Sequence, residues 1–235
     1  DERERKLERG MAESDRETLM DVLKRYGKTH AIRVHGCGLG IPYKSSTWLE
    51  AVLARQDLVA RSLDLEVEAG LTELKEIASM GVQLAFGGND MASNEGTFYS
   101  PEVFRKLMLP RLKTLTKAAT NLGLYPFFGS DGNLWSVADD LYGNSGMKGF
   151  IEVDGRAGMD LAQLRERFPK VAFIGNLSSH TVHMGTPNQI RGEAESAFDA
   201  ARKYSGIVVG ISNYLVPGTP PENIDAALQA LQDLR

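Results

Sequence analysis

The sequence contains a single cysteine, Cys37, among its 235 residues. A disulfide within the chain is therefore impossible, and this scarcity is typical of proteins that fold in a reducing compartment. The sequence also lacks any apolar run approaching the roughly 18 residues that a membrane-spanning helix requires. We therefore expect a cytoplasmic protein with no membrane partner. The chain begins at Asp1 rather than at a methionine, which we interpret as the start of a trimmed or partial sequence.

A strong excess of charge of one sign is also missing. The chain has 27 Lys and Arg against 31 Asp and Glu, which gives a formal net charge of −4. Its basic residues are spread along the sequence, whereas nucleic-acid binding needs a concentrated basic surface. We expect no nucleic-acid partner. We interpret the mixed-charge residues 1–28 as an N-terminal helical segment, within one barrel domain that spans residues 1–235.

Several catalytic motifs are absent as well. No strand is followed by the glycine fingerprint G-x-G-x-x-G of dinucleotide-binding enzymes, which argues against an oxidoreductase of that type. The chain has no GxxxxGK[ST] phosphate loop and no G-x-S-x-G elbow. Nucleotide hydrolysis by a P-loop and serine hydrolysis are thus not indicated.

The sequence does contain a regular alternation of apolar strands and amphipathic helices. Alternation of this kind, without hairpin signals, predicts a parallel sheet with helical crossovers, either open or closed into a barrel. Helix starts are marked by Ser100-Pro101 and by capping boxes at Thr186 and Thr219. We predict a long helical stretch over 46–80, broken near Gln56. The predicted strands cover residues 31–35, 82–86, 125–128, 150–153, 172–174 and 207–211.

Small and polar residues follow each predicted strand. In parallel α/β folds ligands bind at the carboxyl ends of the strands, so these residues form the predicted site. The alternative is that they are ordinary turn residues. The residues are His35 and Cys37 after the first strand, Asn89 and Asp90 after the second, Ser130 and Asp131 after the third, Glu152 and Asp154 in and after the fourth, Asn176 after the fifth, and Asn213 and Tyr214 after the sixth.

Metal binding is weakly indicated. His35 and Cys37 have the spacing of two zinc ligands on one strand face, but the chain has no second cysteine. The other histidines are His30, His180 and His183, the last two on a predicted loop. We expect no metal site, no tightly bound cofactor and no zinc.

Several stretches of the chain resemble the uroporphyrinogen decarboxylase superfamily, which includes corrinoid-linked methyltransferases. They are GTFYSPEVFRKLMLPRLK, FFGSDGN, GFIEVDGRAGMDLAQLRERFP, VAFIGNLSS and VPGTPPENI, and they follow one another in the family's order. The resemblance implies a (β/α)8 TIM barrel of α/β class with its site at the carboxyl ends of the strands. About six of the eight strands are present, so the barrel is predicted to be truncated at its N-terminus.

The chain departs from the family pattern at the site itself. The methyltransferases carry a His-x-Cys zinc pair where this chain has Gly129, Ser130 and Asp131. Their later cysteine, and the late histidine of the decarboxylase, fall near Asn213. The resemblance therefore implies that zinc-thiolate chemistry is lost, while motifs elsewhere favour the methyltransferase branch slightly.

The resemblance implies an enzyme that acts on a tetrapyrrole or on a corrinoid-linked one-carbon substrate, by decarboxylation or by methyl transfer. We expect Asp131, Glu152 and Asp154 to be catalytic and the remaining strand-end residues to bind substrate. A corrinoid would be a co-substrate, carried by a corrinoid protein as partner, and a homodimer is compatible with the resemblance. The alternative is a non-catalytic protein, or an inactive remnant, that binds a tetrapyrrole or a small acid.

Overall fold

A parallel sheet of six strands forms the centre of the molecule, seen here in a computed structural model that describes residues 11–36 and 38–235. The sheet order is β1-β2-β5-β6-β7-β8, and every neighbouring pair is parallel. The strands are β1 Arg33–His35, β2 Leu84–Gly88, β5 Tyr125–Gly129, β6 Gly149–Ile151, β7 Ala172–Leu177 and β8 Ile207–Ile211. Because every neighbouring pair is parallel, all the carboxyl ends meet at one edge of the sheet.

Helices provide the crossovers between the strands. Two segments are π-helical, Phe104–Met108 and Asp139–Asn144, and the first leads from the short helical turn Pro101–Val103 into the helix Leu109–Asn121. That helix, and the helices Leu161–Arg167 and Pro187–Lys203, pack directly on the sheet. The helices are α1 Glu13–Tyr26, α2 Ser46–Ala54, α3 Gln56–Ser79, α4 Leu109–Asn121, α5 Leu161–Arg167, α6 Ser179–Met184, α7 Pro187–Lys203 and α8 Pro221–Asp233. Among the described residues, no helix combines the length and apolarity needed to cross a bilayer.

The two faces of the sheet differ sharply in burial. On the face covered by helices, Phe128, Phe150 and Phe173 form an aligned row on adjacent strands and are at most 3% exposed. On the opposite face, Tyr125 and Val208 are more than half exposed. Strand residues alternate between the two faces, so this second face is the one that a closed barrel would turn inward.

Within the described residues the sheet stays open, because β1 and β8 are its edges and do not pair with each other. The architecture is that of an α/β barrel with six of its strands, as the sequence predicts. Helix α2 ends at Ala54 and α3 begins at Gln56, which confirms the predicted break.

Several local predictions require correction. Strand β7 continues to Leu177, past its predicted end, and Glu152 lies beyond the end of β6 rather than within it. A small hairpin, β3 Ala92–Ser93 with β4 Gly96–Thr97, was not indicated by the sequence. The side chain of Thr219 does not cap α8, because it contacts His183 and the carbonyl of Val216 instead. The predicted caps at Ser100 and Thr186 are confirmed.

Substitution on the two faces should have very different effects on stability. Phe150→Ala removes a ring that is 1% exposed, and we expect it to lower the free energy of unfolding by about 3–5 kcal/mol. Val208→Ala, on the open face and 55% exposed, should cost less than about 1 kcal/mol. Urea denaturation of the two variants measures both values. Equal losses would mean that the open face is covered in solution.

Candidate active site

A pocket of about 530 Å³ opens at the carboxyl ends of the strands. The loop after β1 and the ends of β2, β5, β6 and β8 all contribute to it. We call it the acid pocket. Its lining comprises Pro42, Tyr43, Lys44, Phe86, Gly88, Asn89, Asp90, Gly129, Asp131, Glu152 and Asn213.

The backbone at Glu152 places its carboxylate in this pocket. Regular alternation after Ile151 would turn residue 152 toward the helices, but Glu152 has φ of 70°, in the left-handed region that side-chain-bearing residues rarely adopt. Ile151 pairs with Gly129 on the next strand. A Cβ at Gly129 would lie 2.9 Å from Oε2 of Glu152. The absence of a side chain at position 129 thus leaves the space that the Glu152 carboxylate occupies.

A hydrogen-bonded group formed by Tyr43, Asp90 and Asp131 lies beside Glu152. The Tyr43 hydroxyl donates to Oδ2 of Asp90 at 2.8 Å, and the backbone N–H of Asp131 donates to Oδ1 of Asp90 at 3.3 Å. The ring of Tyr43 stacks on Phe98 with centroids 4.7 Å apart. This stacking fixes the phenol, and the phenol in turn orients the Asp90 carboxylate.

The side chain of Asp131 accepts a hydrogen bond from a residue that follows the edge strand β8. Nδ2 of Asn213, after β8, donates to Oδ2 of Asp131 at 2.8 Å. The neighbouring Ser130 is buried and serves the backbone: its Oγ accepts from the N–H of Met91 and donates to the carbonyl of Asp131. Ser130 therefore positions the β2 and β5 loops and does not line the pocket.

The crowding of carboxylates changes their acidity. Burial, and then the charges of Asp131 and Asp90, raise the pKa of Glu152 to about 7, against a smaller opposite effect of Arg33. Burial and the charge of Asp90 also raise the pKa of Asp131, which the hydrogen bond from Asn213 partly offsets. Near neutral pH, Glu152 is poised to hold a proton or release it, as a general acid requires.

The open edge of the sheet supplies the aromatic side of the pocket. The Arg33 guanidinium lies over the Phe86 ring at 4.6 Å, and the His35 ring meets Phe86 edge-on at 5.8 Å. Loss of hydration against these neighbours, followed by the charge of Arg33, lowers the pKa of His35. His35 thus packs against Phe86 and is not part of the pocket lining.

The structure brings together only some of the residues predicted from sequence. Asn89, Asp90, Asp131, Glu152 and Asn213 share the acid pocket. The remaining ones lie elsewhere. Asp154 accepts hydrogen bonds from two backbone N–H groups of the turn that follows it. Asn176 lines a different cavity next to α7, and Tyr214 is 66% exposed. Cys37 lies outside the described residues.

Sequence reasoning missed six residues of the pocket lining, including Pro42 and Gly88. Tyr43 and Lys44 follow the glycine-rich loop after β1, and Phe86 and Gly129 lie inside strands. Phe86 carried a usable signal, because its position alternates with buried ones along β2, which assigns it to the open face. Nothing in the sequence marked Tyr43, because its role depends on contacts with Asp90 and Phe98 from distant loops.

The two late histidines also need correction. His180 and His183 belong to the short helix α6 rather than to a loop, and His183 contacts the hydroxyl of Thr219 at 3.1 Å. In the part of the chain that the structure describes, no three His, Cys, Asp or Glu side chains are grouped in a way that could hold a metal ion.

One family accounts for the strand order, for the site at the carboxyl ends of the strands and for the sequence. The sequence profile of the family described as Uroporphyrinogen decarboxylase (URO-D) matches residues 40–234. The chain belongs to the uroporphyrinogen decarboxylase family. No curated protein sequence matches the chain.

Solved structures show the same fold. A methyltransferase from Methanosarcina mazei superposes with a TM-score of 0.73 at 21% identity, over 92% of this chain and 63% of its own length. A D-tagatose 3-epimerase-like protein gives 0.56 at 12% identity over 94% and 85%. A sugar phosphate isomerase/epimerase from Parabacteroides distasonis gives 0.53 at 11% identity over 93% and 76%. The chain thus spans less than two thirds of the length of the methyltransferase.

The acidity of Glu152 predicts how stability depends on pH. Its pKa in the folded protein, about 7, lies above the ordinary value of 4.5. The folded state therefore retains a proton that the unfolded chain releases, and the free energy of unfolding falls as pH rises from 4.5 to 7. Glu152→Gln removes the titrating carboxyl group and should abolish this pH-dependent decrease in the free energy of unfolding. We expect the variant to gain on the order of 1–3 kcal/mol relative to wild type across that window.

Urea unfolding at a series of pH values tests this expectation. The exposed hairpin substitution Glu95→Gln controls for removal of a carboxylate. A constant difference between Glu152→Gln and wild type from pH 4.5 to 8 would contradict the raised pKa of Glu152.

Proposed function

We propose that the acid pocket catalyses methyl transfer from a small methylated donor, with Glu152 as the general acid. The observation that carries this proposal is a carboxyl group with a pKa of about 7, placed against two further carboxylates. When a methyl group leaves a nitrogen or an oxygen, that atom gains an electron pair and needs a proton. Glu152 holds such a proton near neutral pH.

The charge of the pocket favours methyl transfer over tetrapyrrole decarboxylation. Asp90, Asp131 and Glu152 face the cavity, and Lys44 is the only basic residue of its described lining. A pyrrole substrate that carries several acid side chains would be repelled by the charges of Asp90 and Asp131 and would need cations to bind it. A neutral methyl donor, whose leaving atom needs the proton of Glu152, meets no such repulsion.

Each residue of the pocket has a distinct task in this reaction. Glu152 gives its proton to the leaving nitrogen or oxygen. Asp131, fixed by Asn213 at 2.8 Å, stabilises the positive charge that the donor gains with this proton. Asp90, oriented by the Tyr43 hydroxyl at 2.8 Å, does the same from the other side. Both carboxylates also keep Glu152 protonated, because their charges oppose a third one.

A zinc ion is not needed in this scheme, and the residues do not fit one. In the methyltransferases that the chain resembles, a histidine and a cysteine stand at the positions of Gly129 and Asp131. Here Gly129 has no donor atom, and the space where a side chain would begin adjoins Oε2 of Glu152 at 2.9 Å. We propose that activation at this site comes from the proton of Glu152 rather than from a metal ion.

A corrinoid fits the proposal as an external co-substrate. The pocket, of about 530 Å³, has the size of small-molecule sites, and its mouth opens at the strand ends. Bound outside this mouth, a corrinoid would supply the nucleophile that accepts the methyl group. The residues of this chain bind and orient the donor and provide the proton.

The test is a methyl-transfer assay with cob(I)alamin as acceptor and small O- and N-methyl compounds as donors, read by the loss of cob(I)alamin absorbance. Glu152→Gln preserves the shape of the side chain and removes the proton, so we expect at least an approximately hundredfold lower kcat. Asp131→Ala should abolish activity with little change in Tm. Glu95→Gln, on the hairpin, should behave as wild type.

Other outcomes would overturn the proposal. Full activity in Glu152→Gln would remove the acid from the mechanism. Release of CO2 from uroporphyrinogen by the wild type would assign the chain to decarboxylation. Binding of donor without turnover would leave a binding protein.

A further inference from the structure

The side-chain amide of Asn89 lies in the acid pocket without a hydrogen-bond partner among the described residues. The backbone of Asn89 is fixed, because its N–H donates to the carbonyl of Gly129 at 3.2 Å and extends the pairing of β2 with β5 by one residue. An amide side chain offers two donor hydrogens and an acceptor oxygen. The residue is only partly buried, so a ligand in the pocket can reach these groups.

A glycine at position 40 makes room for this amide. A Cβ at Gly40 would overlap the side chain of Asn89. The loop that carries Gly40 is itself anchored, because the N–H of Gly40 donates to Oε2 of Glu66 at 2.9 Å and the neighbouring Leu39 and Ile41 are buried. The Asn89 side chain therefore packs on an anchored stretch of backbone. This contact limits the positions of its amide, although no described hydrogen bond holds it.

Two carboxylates of the acid pocket differ from Asn89 in this respect. Asp90 accepts a hydrogen bond from the Tyr43 hydroxyl, and Asp131 accepts one from Asn213. These bonds orient both carboxylates from within the protein. The amide of Asn89 supports no described neighbour, so its hydrogen-bonding groups face a ligand or water.

Asn89 and Glu152 lie on opposite sides of a part of the pocket floor that has no side chains. Asn89 follows β2 and Glu152 follows β6, with β5 between them. Gly88 and Gly129, which pair across β2 and β5, line this part of the floor and allow a ligand to approach the backbone closely. A donor that lies across the floor with its methylated atom at Glu152 therefore directs its other end toward Asn89.

We infer that the methyl donor carries a second uncharged polar group, a hydroxyl or a carboxamide a few bonds from the methylated atom, and that Asn89 binds it. The inference rests on the proposed function for the role of Glu152. A hydroxyl or a carboxamide donates and accepts hydrogen bonds, as the amide of Asn89 does. An anionic group would be repelled by the charges of Asp90 and Asp131. Asn89 thus selects among neutral methyl donors.

Ligand-observed NMR titration of the full chain, without a methyl acceptor, tests this inference. The probes are two pairs: 2-methoxyethanol with methyl propyl ether, and 3-methoxypropan-1-ol with methyl butyl ether. Within each pair the chain length is equal, and a terminal hydroxyl replaces a methyl group. Hydrophobicity favours the ethers, whereas a hydrogen bond to Asn89 favours the alcohols. We expect wild type to bind the alcohol of at least one pair at least about fivefold more tightly than its ether.

Substitution of Asn89 separates hydrogen bonding from shape. Asn89→Leu keeps the approximate size and branching of the side chain and removes its polar atoms, so it should abolish the preference for the alcohol. Because the amide has no described partner, the Tm of this variant should stay close to that of wild type. Asn89→Gln should retain part of the preference. Asn121→Leu, at an exposed asparagine that ends α4, controls for replacement of an amide by an apolar group.

Equal affinities within both pairs, tighter binding of both ethers, or no binding of any probe by wild type overturns the inference. An unchanged preference in Asn89→Leu does the same. A Tm of Asn89→Leu far below that of wild type would also overturn it, because the amide would then have a structural role.

The titration involves no turnover, so the inference and the proposed function can fail separately. If alcohols and ethers donate methyl groups with equal kcat/KM, only the second polar group falls. If the alcohols bind through Asn89 and no donor reacts, only methyl transfer falls.

Discussion

The missing side chain at Gly129 is the constraint on which the site depends. Gly129 ends β5 on the open face of the sheet, directly beside Ile151 of β6. A Cβ there would come within 2.9 Å of Oε2 of Glu152. With that space free, and with φ of 70° at residue 152, a carboxylate that strand alternation would direct toward the helices lies over the sheet instead. The pKa of Glu152, the charge of the pocket and the proposed acid role all follow from this placement.

The parallel sheet brings carboxyl groups from separate parts of the sequence into one cluster. Asp90 follows β2, Asp131 follows β5 and Glu152 follows β6, and these three strands are neighbours in the sheet. Residues that follow neighbouring parallel strands lie close together regardless of their separation in sequence. Asn213 reaches Asp131 from β8 across 82 positions of chain. Burial of like charges at one edge is unfavourable for folding, and left-handed backbone at a side-chain-bearing residue adds about 1–3 kcal/mol, so the arrangement is consistent with selection for function rather than stability.

Much of the fold and part of the site could be predicted from the sequence. The six strands and the helix break follow from apolar periodicity, and five strand-end residues do meet in one pocket. Prediction failed where the backbone departs from regular geometry. The apolar residues on both sides of Glu152 predict a strand that contains it, and the turn-like pair Gly175 and Asn176 predicts an early end of β7. Gly175 and Asn176 both have positive φ within β7, and residue propensities for secondary structure do not predict this. Asp154 is of a residue type common in catalysis, and its side chain accepts backbone hydrogen bonds from the turn that follows it.

The same geometry makes positions 129 and 152 interdependent. A histidine at 129, as in the zinc-dependent relatives that the sequence resembles, would need the volume that the Glu152 carboxylate occupies, so on this backbone the two side chains compete for one space. Asp131 extends the pattern, since at this position a carboxylate replaces a thiolate and, bound to Asn213 at 2.8 Å, supports the protonated state of Glu152. On this backbone, the absence of metal ligands and the position of the Glu152 carboxyl group are therefore coupled. In the proposed mechanism, activation by a proton in place of a metal ion thus depends on a small set of mutually dependent positions.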